Sequence, residues 1–287
     1  MNILILGGNR FTGKLLAEEL LKIDNSITVF NRRGTGPHGC RILQGDRNIK
    51  TDLEKIDFKQ FDCIVDMCLY KPQQFELLEP LLNTTTPYVF ISSAAAYKDT
   101  GIWPITEDNE VEGMKVFGDY ARDKAKVECL IKKSKLEKYK IMRPTYIIGE
   151  GNHDSRLGKY VSAIEEGRPI DIAGDGENLI NLVTAQDIAS CLKNVVLDMC
   201  SNTGNEIKEC NLSSDQSITV NYLIELLVGL LNKTSYLNRN YNASDAVFPY
   251  AHYGIFSNQN IKNYHSCEFT DLKEALTNYI QNYNNNK

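Results

Sequence analysis

Residues 2–13 read NILILGGNRFTG, and this stretch decides the fold. The run NILIL is continuously apolar, as expected for a strand buried on both faces of a sheet. The glycine-rich segment leads into residues 10–23, where Leu16, Leu20 and Ile23 share one face of a predicted helix. Glycine permits a tight turn, and a helix N-terminus offers free N–H groups and a positive dipole end. Strand, loop and helix together predict a pyrophosphate site. A strand–helix turn without a ligand is the alternative.

The alternation of strand and helix continues through the first half of the chain. Apolar runs predict strands at 27–30, 41–44, 63–66, 88–91 and 140–142, with helices at about 72–83 and 118–134. Such alternation implies a parallel sheet with right-handed crossovers. We therefore predict an α/β fold, a Rossmann-like doubly wound parallel sheet, with a dinucleotide-binding domain over residues 1–150.

Residues 151–287 are expected to form mainly a smaller C-terminal substrate lobe. The pattern predicts helices at 158–166, 185–199, 219–232 and 270–282, and strands at 179–183 and 207–212. Some of these segments are expected to return to the Rossmann sheet.

The composition argues against several classes of protein. A formal net charge of −5 argues against a general nucleic-acid-binding protein. Eight cysteines without a CxxC pair predict reduced thiols in a cytoplasmic protein. Four scattered histidines make no metal-binding pattern, so no metal is expected. The apolar start is too short to span a membrane.

A basic turn follows the second predicted strand. Asn31 stands where an acidic residue would accept hydrogen bonds from a ribose 2′-hydroxyl, and Arg32 and Arg33 come next. Because guanidinium groups suit phosphate, the turn favours NADP(H) over NAD(H) as cofactor. A solvated basic turn is the alternative interpretation.

A tyrosine and a lysine form a candidate proton-transfer pair. Tyr120 and Lys124 have the YxxxK spacing, which places them on one face of a predicted helix. A nearby ammonium favours tyrosinate and suits the tyrosine to general acid–base work. Ser92 and Ser93 end a predicted strand, where catalytic groups of open parallel sheets collect. The alternative is an exposed helix beside a structural serine.

Together these motifs resemble the short-chain dehydrogenase/reductase superfamily in its extended or atypical branch. The family's GxxGxxG loop maps onto Gly7 and Gly13, with Arg10 in the middle place. The GGxRFxG form is similar to an atypical subgroup that contains sugar-epimerase-like reductases and chloroplast stem-loop RNA-binding proteins. The family's catalytic serine maps onto Ser93, with Ser92 as second choice.

The resemblance implies roles for particular residues. Ser93 would orient the substrate oxygen, Tyr120 would exchange the proton, and Lys124 would hold the nicotinamide ribose and tune Tyr120. Asp46 would meet the adenine amino group, and the segment RPTYIIG, residues 143–149, would border the nicotinamide. The implied cofactor-binding residues are Gly7, Asn9, Arg10, Phe11, Gly13, Asn31, Arg32, Arg33, Asp46, Tyr120, Lys124 and Pro144.

The resemblance also implies an activity, from which the chain departs at two places. It implies an NAD(P)-dependent sugar-nucleotide epimerase or keto-reductase, acting on a small-molecule carbonyl or sugar-nucleotide substrate. Ala94 and Ala95 occupy the places of the acidic pair of sugar 4,6-dehydratases, which argues against a dehydratase. Ile180 stands where an arginine holds the substrate diphosphate in many relatives.

Other questions stay open at the level of sequence. Arg156, Lys159 and Arg168 are candidate substitutes for the missing arginine, or solvated surface charges. A non-catalytic, RNA-binding relative of the stem-loop-binding proteins is the alternative function, suggested by the loop and the lysines of residues 132–140. We prefer a solvated helix end for that run. The oligomeric state is undecided, a homodimer being one arrangement.

Overall fold

The structure is a computed structural model, and it describes residues 1–149, 151–152, 156–201, 206–240, 246–249, 254–263 and 267–285. The strands among these residues are β1 Asn2–Leu6, β2 Ser26–Asn31, β3 Arg41–Gln44, β4 Cys63–Asp66, β5 Tyr88–Ile91, β6 Tyr139–Pro144, β7 Tyr146–Ile148, β8 Pro169–Ala173, β9 Leu179–Thr184, β10 Glu209–Leu212, β11 Ser217–Thr219 and β12 Tyr236–Asn240. The α-helices are α1 Phe11–Leu21, α2 Lys50–Leu53, α3 Pro72–Leu78, α4 Gly118–Lys133, α5 Arg156–Glu166, α6 Ala185–Ser201, α7 Val220–Leu231, α8 Gln259–Lys262 and α9 Leu272–Asn285. Short 3₁₀ turns lie at Phe58–Gln60, Glu79–Leu81, Ala94–Ala96 and Lys115–Phe117.

The large sheet has the strand order β10-β6-β5-β4-β1-β2-β3. Every neighbouring pair in it is parallel. From β1 the chain winds outward to β2 and β3 on one side, then crosses back to β4, β5 and β6 on the other. The carboxyl ends of β1 and β4 therefore flank the point where the winding direction changes, which is where open α/β sheets bind ligands. The predicted Rossmann-like α/β fold is confirmed.

The two faces of the sheet are covered by different helices. In β1, Ile3 and Ile5 face a core that includes Leu16 and Leu20 of α1 and the apolar side of α6. The side chains on the opposite face of β1, which include Leu4, pack against α3 and α4 instead. This alternation explains why a strand with helices on both sides reads as an unbroken apolar run.

The C-terminal segments build a second core and also rejoin the sheet. Helices α5, α7 and α9 pack with β8 and β9 around a cluster that includes Tyr160, Ile180 and Leu223. β10 leaves this region and pairs with β6 as the edge strand of the large sheet. The division of the chain at residue 150 stays a prediction.

The main differences from the predicted elements lie in the second half. β7, β8, β11 and β12 were not predicted, and all four belong to small two- and three-stranded sheets outside the large sheet. Propensity is a weak guide for such strands, since pairing and burial decide them. Within the described ranges, no helix is long and apolar enough to cross a membrane.

Candidate active site

The glycine-rich loop is compact because its glycines leave no room for side chains. Gly7 has φ +93°, and a Cβ built there would lie 2.9 Å from Cys68 Sγ. A Cβ on Gly13 would stand 3.1 Å from both Gly7 O and Gly8 Cα. Gly7 requires glycine because of its positive φ, and a side chain at Gly13 would force the loop to shift. The loop therefore passes directly beneath the N-terminus of α1, which it brings to the edge of the sheet.

The N-terminus of α1 is built to receive an anion. Arg10 is its N-cap residue, and among the described residues its side chain makes no capping bond and the first turn holds no acidic group. The N–H groups of this turn thus point at the cavity described below, with the positive end of the helix dipole behind them. Phe11 adopts φ +46°, a left-handed conformation that is costly for a bulky side chain. Residues held in such conformations concentrate at ligand-binding sites.

The basic turn after β2 is folded by Asn31. Its side chain accepts a hydrogen bond from Arg33 N at 3.0 Å and donates one to Thr35 O at 2.7 Å. These bonds close the turn and present the exposed side chains of Arg32 and Arg33 at its surface. Arg32 Nη1 lies 4.0 Å from Asp46 Oδ2, a distant and solvent-exposed ion pair. Both arginines are therefore available to a phosphate group.

A buried ion pair that the sequence analysis missed lies under the same corner. Arg47 donates two hydrogen bonds to Asp66, at 2.6 and 2.9 Å, and Tyr88 Oη donates a third to Asp66 at 2.8 Å. Arg47 also lies 3.2 Å from Cys68 Sγ. Burial raises the pKa of Tyr88 well above its usual value, and the Asp66 charge adds to this rise. The sequence signal was available, since Asp66 ends a strand that is otherwise apolar.

The structure separates the two serines at the end of β5. Ser92 Oγ donates to Glu128 Oε1 at 2.5 Å, inside the protein. Ser93 Oγ accepts a hydrogen bond from Ala95 N at 3.1 Å, and both serines line the cavity. Accepting one bond leaves the Ser93 hydroxyl able to donate to a substrate oxygen. The geometry favours Ser93 over Ser92 as the substrate contact.

Tyr120 and Lys124 occupy different depths of the site. Tyr120 is 43% exposed at the cavity mouth, and its ring centroid lies 6.4 Å from that of Tyr70. Lys124 is only 2% exposed and stands behind the cavity wall. Its Nζ donates to Ile91 O at 2.7 Å and to Leu69 O at 2.8 Å. Lys124 thus ties the end of β5 to the loop that follows β4, one helical turn from Tyr120.

The buried environment makes the charged form of Lys124 less favourable. Burial lowers the pKa of Lys124 to about 7, while the nearby Asp66 carboxylate works in the opposite direction. The ammonium also lies 4.9 Å from the ring centroid of Tyr70 and 4.8 Å from that of Phe90. Lys124 therefore changes protonation near neutral pH.

One cavity of about 930 Å³ brings most of these groups together. It runs from the basic turn, past the glycine-rich loop, to the N-terminal end of α4. The cavity is lined by most of the residues that we expected to bind cofactor or substrate. These are Gly7, Asn9, Arg10, Phe11, Gly13, Asn31, Arg32, Arg33, Asp46, Ser93, Tyr120 and Pro144. Its wall also includes residues that sequence reasoning missed, namely Arg47, Cys68, Tyr70, Phe117 and Asn152.

Among the described residues after 150, Arg156 is the cation that lines the cavity wall. Ile180, which stands where the resemblance implies a diphosphate-binding arginine, is 1% exposed and belongs to a hydrophobic core. Arg156 lines the cavity, with its guanidinium 5.4 Å from the centroid of the Tyr146 ring. Arg168 instead pairs with Glu166 at the surface. Arg156 is thus the substitute cation that the geometry favours.

Part of the chain matches a known family model. Residues 73–207 match the sequence profile described as the NAD dependent epimerase/dehydratase family. A chloroplast stem-loop binding protein of 41 kDa from Arabidopsis thaliana is 27% identical over 214 residues, covering 68% of this chain and 54% of that protein. The chain spans about half the length of the curated relatives it matches.

Solved structures share the fold over the whole chain. The UDP-glucose 4-epimerase of Thermotoga maritima, solved with UDP-glucose, superposes with a TM-score of 0.81 at 16% identity, covering 100% of this chain and 99% of that one. The dTDP-glucose 4,6-dehydratase of Bacillus anthracis, solved in complex with NAD, has a TM-score of 0.79 at 17% identity, covering 100% and 97%. At these identities the likeness shows the fold.

Proposed function

We propose that this chain, whose residues 73–207 match the NAD dependent epimerase/dehydratase family, is a nicotinamide-dependent epimerase or keto-reductase. The observation that carries the proposal is the single cavity joining the glycine-rich loop, Ser93 and Tyr120. Tyr120 can transfer a proton and Ser93 can donate a hydrogen bond, and both lie in the same cavity as the glycine-rich loop. This arrangement suits oxidation of an alcohol or reduction of a carbonyl. The related structures solved with NAD and sugar nucleotides support this choice.

The residues present fit a dinucleotide. The open N-terminus of α1 and the close-packed Gly7 and Gly13 suit its pyrophosphate. Arg32 and Arg33 suit a 2′-phosphate, so we propose NADP(H) over NAD(H). The nicotinamide, when bound, supplies the acceptor or donor of hydride.

The chain itself would supply orientation and proton transfer. Ser93 donates a hydrogen bond to the substrate oxygen, and Tyr120 gives a proton to that oxygen in reduction or takes it in oxidation. The Lys124 ammonium favours the tyrosinate form of Tyr120, because it places positive charge one helical turn below. We propose a carbonyl or sugar-nucleotide substrate, with Arg156 near its entrance.

The RNA-binding alternative has less support. In the run of residues 132–140, Lys132 pairs with Glu209 at 2.5 Å, and Lys140 is buried and donates to Ile207 O. The Lys132 charge is therefore paired with a carboxylate and Lys140 is directed into the protein, so both contribute less to a basic surface. Hairpin-selective binding at physiological salt in a filter assay would favour the alternative, whereas weak, salt-sensitive binding supports the enzyme.

The experiment that tests the proposed function identifies the nicotinamide that copurifies with the chain and its redox state. We expect NADP(H), and we expect its absorbance to change when UDP-glucose or phenanthrenequinone is added as substrate probe. Retained cofactor would favour an epimerase, and exchangeable cofactor a reductase. A chain that binds neither nicotinamide in a titration would contradict the proposal.

A further inference from the structure

Helix α4 makes polar contacts with the sheet at every fourth residue below Tyr120. Lys124 binds the carbonyl oxygen of Ile91, Glu128 accepts from Ser92, and Lys132 pairs with Glu209. Spacing of four residues places all of these side chains along one edge of the helix. The helix is thus held to the sheet by a line of charged groups that begins at the candidate catalytic tyrosine.

Glu128 is the centre of this line. It is 1% exposed, and besides the Ser92 hydroxyl it accepts hydrogen bonds from Arg143 Nε at 3.0 Å and Arg143 Nη2 at 2.6 Å. Arg143, fully buried on β6, also donates to Tyr97 Oη at 2.8 Å and to Glu209. A buried carboxylate with this many donors is fixed in place, since losing any partner would leave buried charge unpaired.

Glu128 binds two residues that each come directly before a residue of the proposed active site in the sequence. Ser92 precedes Ser93, and Arg143 precedes Pro144. We propose that Glu128 is a positioning residue, whose carboxylate fixes α4 against the ends of β5 and β6 and so sets the distance between Tyr120 and Ser93. The inference rests on the proposed function, and it assigns Glu128 no contact with substrate or cofactor.

Electrostatics distinguishes this role from simple packing. The charged and titratable groups around Lys124 are Asp66 on β4, Arg47, Cys68 and Tyr70 from the adjoining loops, and Glu128 on the same helix. The negative charge of Glu128 raises the pKa of Lys124, against the larger effect of burial. Glu128→Gln keeps the shape of the side chain but removes this charge, so it should lower the pKa of Lys124 further.

The test compares Glu128→Gln with Glu209→Gln. Both substitutions remove one carboxylate partner of Arg143, but only Glu128 contacts Ser92. In protein labelled at the lysine ε-carbon, the Lys124 NMR signal, identified by its loss in Lys124→Met, reports the protonation midpoint of that residue. We expect the midpoint to fall in Glu128→Gln and to stay within error in Glu209→Gln.

Kinetics completes the test. With NADPH and phenanthrenequinone, Glu128→Gln should lose about 10- to 100-fold in kcat, because small misplacements of reacting groups carry penalties of this size. The KM for the probe and the Kd for NADPH should change little. If Glu128→Gln does not fold, Ser92→Ala leaves the ion pair intact and should still lower kcat.

The outcomes separate the two claims. Wild-type kcat in Glu128→Gln or Ser92→Ala, beside an inactive Tyr120→Phe, overturns the positioning role alone. Full activity in Tyr120→Phe overturns the proposed function itself. An unchanged Lys124 midpoint in folded Glu128→Gln overturns the electrostatic effect of Glu128 on Lys124, and kcat alone then decides the positioning role.

Discussion

Lys124 Nζ lies 2.7 Å from the carbonyl oxygen of Ile91, at the last residue of β5. The next two residues of the chain are Ser92 and Ser93, so the lysine holds the strand end that precedes the serine proposed to orient the substrate. Lys124 therefore holds this strand end in place, in addition to the electrostatic effect on Tyr120 that we propose. This arrangement leads to the first prediction.

Lys124 should make stability depend on pH. Its folded pKa of about 7 lies below the value of about 10.4 expected in the unfolded chain, so the unfolded chain binds more protons between these values. The free energy of unfolding should therefore rise with pH across this window, by on the order of a few kcal/mol relative to Lys124→Met. Urea unfolding at pH 7 and pH 9 measures the difference.

Lys126→Met is the matched control for that measurement, because Lys126 is exposed on the same helix. It should follow the wild-type pH dependence. If Lys124→Met and wild type changed stability in parallel between the two pH values, the marginal charge assigned to Lys124 would be wrong.

Arg32 should decide between the two nicotinamide cofactors. Arg32→Asp places a negative charge beside the expected 2′-phosphate, and hydrogen bonds to charged groups are worth about 1.5–3 kcal/mol. We expect calorimetric titration to show NADPH binding weakened by about 10- to 100-fold, with NADH binding little changed. Arg41→Asp, at the start of β3 and outside the cavity lining, is the control and should keep the preference. Equal affinity of wild type for NADH and NADPH would refute the assignment.

Gly13 should be essential to cofactor binding for steric reasons. A Cβ at Gly13 would press on Gly7 O and Gly8 Cα at 3.1 Å, which must widen the loop. We expect Gly13→Ala to bind NADPH at least about 10-fold more weakly, a loss of about 1.4 kcal/mol. Gly229→Ala, in helix α7 with open space around it, should bind normally and gain roughly 0.5–1 kcal/mol of stability. Normal NADPH affinity in Gly13→Ala would mean that the loop does not cradle the cofactor.

The Arg47–Asp66 pair should be important to stability. Asp66 is fully buried, so Asp66→Asn leaves the Arg47 guanidinium without its counter-charge. Removing one partner of a buried pair typically costs about 3–5 kcal/mol. Urea unfolding should show a loss of this size, whereas Asp99→Asn at the surface should change stability by less than about 0.5 kcal/mol. A loss below 1 kcal/mol in Asp66→Asn would indicate that water or a rearranged side chain compensates.

The local pattern of the sequence predicted the fold well and the buried charges poorly. The run of residues 2–6 and the loop after it sufficed for the strand, the turn and the sheet class, since hydrophobic periodicity and glycine chemistry act locally. The cavity lining follows from the same logic, because parallel strands bring their carboxyl ends to one edge.

What the sequence could not supply was the partner of each charged side chain. Glu128 reads as an ordinary helix residue, and only the packing of α4 on β5 and β6 brings it to Ser92 and Arg143. Lys124 was expected to face the cofactor ribose, whereas its Nζ is directed to two backbone carbonyls. Such contacts join residues far apart in the chain, which local patterns do not encode.

The central claim is that Tyr120 transfers the proton in a nicotinamide-dependent reaction. Tyr120→Phe removes only the hydroxyl and should keep the ring in place beside Tyr70. The direct measurement is the rate at which NADPH is consumed by wild type and Tyr120→Phe with the same carbonyl probe, alongside the Kd for NADPH. We predict a rate lower by about 10²- to 10⁴-fold in the variant, with the Kd little changed. A Tyr120→Phe variant that consumed NADPH at the wild-type rate would contradict the assignment, even if both proteins bound the cofactor equally well.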